Sequence, residues 1–103
     1  MKETSGYIYV LEDKSFPDYI KFGYTTDIPK KLRYFESNKP FKTCKVIYSS
    51  DKLGNMKKAY SHLWGELRFK EGFVSSPRKL AKGWYPIANK PLLEEVLTDW
   101  IKN

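Results

Sequence analysis

Tyr9 and Lys21 are the residues of this chain whose types and spacing fit them to do chemistry together. Gly6-Tyr7-Ile8-Tyr9-Val10-Leu11 and Tyr19-Ile20-Lys21-Phe22-Gly23-Tyr24-Thr25 are two alternating runs rich in β-branched and aromatic residues. The stretch between them, Glu12 to Asp18, carries the Asp, Ser and Pro of a surface loop, so the pair reads as a β-hairpin. Residues two apart in a strand share a face. Ile8, Val10, Ile20 and Phe22 therefore line one side, and Tyr7, Tyr9, Tyr19 and Lys21 the other. Symmetric closure of the loop sets Tyr9 opposite Lys21, a phenol beside an ammonium. A free tyrosine, with pKa near 10, is a poor base at neutral pH, and a neighbouring cation favours its ionised form. A catalytic role needs this pair on one face, with Tyr9 uncovered.

The next elements flank this hairpin. Thr25-Thr26-Asp27-Ile28-Pro29 has a capping residue followed by proline in the first turn, which starts a helix. Ile28, Leu32 and Phe35 form its apolar stripe, and Asn38-Lys39-Pro40 stops it. Lys31 lies about 60° from Ile28, at the edge of that stripe, whereas Arg33 lies about 140° away and faces solvent. Cys44 to Ser49 reads as a third strand. A second helix is expected from about Asn55 to Phe69, with Met56, Tyr60, Leu63 and Leu67 inward and His62 and Glu66 together on one flank. Lys70 to Lys82 reads as a basic loop, and Gly83 to Ile87 as a short extended segment. Asn89 is expected to cap a final helix carrying Leu92, Leu93, Val96, Leu97 and Trp100. The fold class is α+β, a single domain with a three-stranded, mostly antiparallel sheet flanked by helices.

Tyr7-Ile8-Tyr9 followed by Lys21-Phe22-Gly23 and Thr25-Thr26, in this order and spacing, resembles the GIY-YIG nuclease domain. The likeness is to its phage and viral branch, where the second motif reads Lys-Ile-Gly. The resemblance implies hydrolysis of DNA phosphodiester bonds with a divalent metal, Mg²⁺ or Mn²⁺. Carried over by position, it implies catalytic roles for Tyr9, Lys21, Lys31 and His62. The chain departs from the pattern twice. Lys31 stands where the family has arginine, which keeps the charge but loses the two-pronged phosphate contact. Gly83-Trp84-Tyr85 stands where the branch has a metal-binding glutamate before an aromatic pair. Glu66 is the candidate metal ligand in its place, with Glu71 as the other substitute. Restoring glutamate at position 83 is expected to raise cleavage, provided Gly83 does not need a positive φ.

The 103 residues carry 19 Lys and Arg against 12 Asp and Glu, a net charge of +7, which favours a polyanionic partner. Tyr7, Lys30, Arg33, Lys70, Arg78 and Lys79 are the candidate nucleic-acid contacts, with DNA the expected partner. No run is long and apolar enough for a membrane span, and the N-terminus lacks a signal-peptide pattern. The one cysteine, Cys44, excludes an internal disulfide and a thiolate zinc cluster, so a reducing cytosol, that of a host if the chain is viral, is expected. Two readings stand beside the endonuclease. One is a nuclease-fold protein that binds nucleic acid without cutting it, and the other is a viral protein that binds a host defence protein.

Overall fold

The computed structural model describes residues 5–37, 42–77, 80 and 83–102. The elements follow the order β1 (Tyr7–Asp13), β2 (Tyr19–Thr25), α1 (Ile28–Glu36), β3 (Cys44–Ser49), α2 (Met56–Arg68), β4 (Trp84–Pro86) and α3 (Lys90–Lys102). A 3-10 turn, Ile87–Asn89, leads into α3. The sheet has four antiparallel strands in the order β3-β1-β2-β4. The expected three strands are thus one short: the segment after Gly83 pairs with β2, Lys21 opposite Trp84 and Ile20 opposite Tyr85.

Local chemistry sets the helix starts as the residue types require. Asp27 caps α1 by accepting from Lys30 N at 3.1 Å, with Pro29 in the first turn. Asn55 caps α2 by accepting from Lys58 N at 3.1 Å. A side-chain cap of this kind contributes about 1 kcal/mol. Ile8, Val10, Ile20 and Phe22 form the core with Leu63 and Leu67 of α2, Tyr85 of β4, and Leu93, Val96 and Leu97 of α3. That places α2 and α3 on one side of the sheet. On the other side lies α1, none of whose residues is fully buried.

The hairpin register differs from symmetric closure. Tyr9 pairs with Gly23, and Lys21 with Leu11. The first strand runs on to Asp13, whose carboxylate accepts from Ser15 N at 2.9 Å and tightens the turn. The shift is by an even number of positions, so every side chain keeps its expected face. β3 pairs on the other edge of β1, with an irregularity where Val10 meets Tyr48 and Leu11 meets Val46, leaving Ile47 as the extra residue of a bulge.

Asn89 does not cap the last helix. Its side chain is buried and holds the loop before β4, donating to Val74 O and accepting from Val74 N, both at 2.8 Å. The amide so replaces a strand partner for Val74. Asn89→Ala leaves both main-chain groups without that partner and should destabilise the fold by about 2 kcal/mol. Chemical unfolding measures the loss, and accelerated exchange of the Val74 amide locates it. An unchanged midpoint would show that water replaces the side chain at no cost.

Candidate functional site

On the α1 side of the sheet, β1 and β2 present Tyr9, Leu11, Lys21 and Gly23, because directly paired residues face the same way. Gly23 makes this arrangement fit. A Cβ there would stand 3.0 Å from the Tyr9 hydroxyl and 3.2 Å from Cζ, so the absent side chain is what lets the phenol lie across β2. Lys21 reaches from the middle of β2 toward α1, with Nζ 5.8 Å from the ring centre of Phe35. Lys31, half-exposed as its helical position demands, holds Nζ 5.6 Å from the same ring and 5.5 Å from that of Tyr34. The two ammonium groups therefore share one aromatic floor. Trp84 of β4 closes that floor, its ring 6.3 Å from Phe35.

Tyr9 and Lys21 thus share a face, but Tyr9 is not uncovered. It is 2% exposed. Burial drives its phenol up to about 12, against the expected ionisation. Burial in the first place, and the Lys31 charge in the second, lower the pKa of Lys21. An acid with a raised folded-state pKa has its stabilising effect in full below its unfolded value. The stability contributed by Tyr9 is therefore intact below pH 10 and lost as pH rises toward about 12. The loss amounts to about 2–3 kcal/mol. Urea unfolding across this window should show a fall that is shallower by that amount in Tyr9→Phe. Equal slopes in the two proteins would mean that the phenol is solvated after all.

The remaining candidates disperse. His62 pairs with Glu66 at 3.1 Å on an exposed flank of α2. That helix packs by Met56, Leu63 and Leu67, and it covers the sheet face opposite Tyr9. Neither residue joins Tyr9 and Lys21. Tyr7 is half-buried on the Tyr9 face, while Lys30, Arg33 and Glu71 are exposed. Lys70 donates to Glu95 of α3 at 2.8 Å. Arg78 and Lys79 lie outside the described residues.

Gly83 stands out in the sequence for the glutamate it lacks, but its conformation and its contact with Lys21 do not show there. It has φ of 89°, and its carbonyl accepts from Phe22 N at 3.0 Å. A Cβ at this position would overlap Nζ and crowd Cε of Lys21 at 3.2 Å. The ammonium thus fills the volume into which a side chain at position 83 would grow. The sequence signal was a glycine at the glutamate position of the resembling branch, with the requirement for positive φ left as a condition.

Magnesium prefers carboxylate oxygen, and the groups gathered here do not fit it. Among the described residues they are the ammonium groups of Lys21 and Lys31 and the protonated phenol of Tyr9. Asp13 shares the sheet face, but its oxygens already accept from Ser15 N and, at 3.4 Å, from Cys44 Sγ. Glu36 of α1 has a buried Oε2 with no hydrogen-bond partner among the described residues, yet it sits about 140° around the helix from Lys31. Among the described residues, no three His, Cys, Asp or Glu side chains stand together as a metal site. Nor is any helix among them long and apolar enough to cross a membrane.

No curated protein and no solved structure matches the chain. The T5orf172 domain, a phage-associated domain related to nuclease-like folds, matches residues 6–103, a span that takes in β1 through α3. The chain belongs to the T5orf172 domain family.

Proposed function

We propose that this protein binds the phosphate backbone of DNA through Lys21 and Lys31 and that it is a nuclease-related domain in which binding has replaced hydrolysis. The observation that carries the reading is the exchange at position 83. Where the resembling nucleases place a carboxylate for metal, this chain has a glycine at positive φ, with a lysine ammonium in the vacated volume. A pair of cations on an aromatic floor favours an anion with several oxygens. Tyr9, still protonated at neutral pH, is a hydrogen-bond donor there rather than a base.

The net charge of +7 supports the same reading, since counterion release makes such binding tight at low salt. Fluorescence anisotropy with a labelled oligonucleotide should show log affinity falling linearly with log salt. Lys31→Ala should flatten that slope by about 0.7–0.9 for each phosphate no longer neutralised. Affinity indifferent to salt would remove the proposal.

A metal-dependent endonuclease is the second reading. It is favoured by the convergence of Tyr9, Lys21, Lys31 and Gly83, four positions of the GIY-YIG pattern, on one sheet face. Supercoiled plasmid incubated with Mg²⁺ or Mn²⁺ separates the two. Binding alone leaves it supercoiled. Nicking that disappears in Tyr9→Phe restores the enzyme.

A further inference from the structure

The rings around the two lysines continue beyond them in both directions. Phe16, at the tip of the β1–β2 hairpin, meets Trp84 edge-on at 6.2 Å. Trp84 meets Phe35 at 6.3 Å, and Phe35 meets Tyr34 at 5.5 Å. The row therefore runs Phe16, Trp84, Phe35, Tyr34 across β4 and α1. Its two middle members are half-buried and its ends stand in solvent, Phe16 at 52% exposed and Tyr34 at 69%. Lys21 and Lys31 sit against the middle of this row. Core packing does not account for the end rings, since neither belongs to the buried cluster on the other side of the sheet.

An aromatic row beside cations is chemically matched to one ligand class. Phosphates meet the ammonium groups, and flat bases meet the rings. In a duplex the base faces are already stacked on one another, so protruding rings find nothing to stack on. In an unpaired strand the faces are available. Building on the phosphate-binding role above, we infer that this surface takes single-stranded nucleic acid, with phosphate at Lys21 and Lys31 and flanking bases stacked on Tyr34 and Phe16.

The test uses the full chain and two fluorescein-labelled probes, an oligothymidylate of about 12 nucleotides, within the site size of single-strand grooves, and a hairpin duplex of similar charge. The proposal expects tighter binding of the single strand at equal salt. Tyr34→Ala and Phe16→Ala should each weaken it about tenfold, the loss of one stacked base. Phe16→Ala, whose ring touches neither lysine, should leave the duplex affinity unchanged, and Tyr34→Trp, which keeps a ring beside Lys31, should retain both single-strand and duplex binding. Because both side chains are largely exposed, these variants should melt with the parent, which circular dichroism checks. Duplex affinity equal or higher, with the ring variants silent, would overturn the stacking surface while Lys31→Ala still weakened both probes and left the phosphate site standing. If neither probe binds at low salt, both proposals fall.

Discussion

Gly6→Ala should leave the protein barely folded at ambient temperature. Gly6 begins the first apolar run and bridges Leu53, donating to Leu53 O at 3.0 Å and accepting from Leu53 N at 2.7 Å. A Cβ there would overlap Sδ of Met56 and approach the Thr25 carbonyl oxygen to 2.6 Å. A methionine side chain can move, but a backbone carbonyl at the end of β2 cannot move without dragging the hairpin. The expected cost is about 3 kcal/mol or more, since overpacking and broken main-chain pairing combine. For a domain of this size that corresponds to a fall in Tm of more than about 12 °C. Met56→Ala in the same chain should not rescue it, because the Thr25 clash remains. Calorimetry of the two variants gives the answer, and rescue by Met56→Ala would locate the whole problem in the thioether.

Gly83→Glu should have the next largest effect, and its direction reverses the one expected from the family letter. The condition set for a gain of cleavage was that Gly83 not require positive φ, and φ is 89°. A side chain on that backbone costs about 1–2 kcal/mol. The new Cβ would also evict Lys21 from its place against Phe35. The carboxylate would then pair with the ammonium that phosphate is meant to meet. We expect a total destabilisation of about 3 kcal/mol, combining backbone strain with the disrupted packing of Lys21. DNA affinity should drop more than tenfold, as befits a negative charge introduced beside a half-buried cation, with no Mg²⁺-dependent nicking gained. Gly83→Ala should reproduce most of the instability without the added charge. A Gly83→Glu protein that folds well and cuts plasmid would overturn both the strain argument and the anion site.

Much of this architecture was legible in residue types. Asp27 with Pro29, and Asn55 before an amphipathic stripe, mark helix starts by local hydrogen bonding alone. Strand parity put Tyr9 and Lys21 on one face, and parity survived a register shift because the shift was even. What was illegible depends on distant partners. Trp84–Pro86 is too short to declare itself a strand, and it becomes one only by pairing with β2. Asn89 looked like a cap because its type suits one, but Val74 claims its amide. Tyr9 looked accessible because strand alternation says nothing about what packs against that face, and the phenol is buried. Gly83 concealed its φ, as every glycine does in a sequence.

The helices grip the two faces of the sheet unequally. α2 and α3 are fastened by Leu63, Leu67, Leu93, Val96 and Leu97, whereas α1 rests on half-exposed Ile28, Leu32 and Phe35. Segments with little buried apolar surface open at the smallest free-energy cost. Native-state hydrogen exchange should therefore find the α1 amides unprotected well before those of α2. Such sub-global opening lifts α1 from the sheet face that carries Lys21 while the four-stranded sheet stays intact. The face that carries the two ammonium groups is then reachable from an excited state of the native protein, with no need for global unfolding.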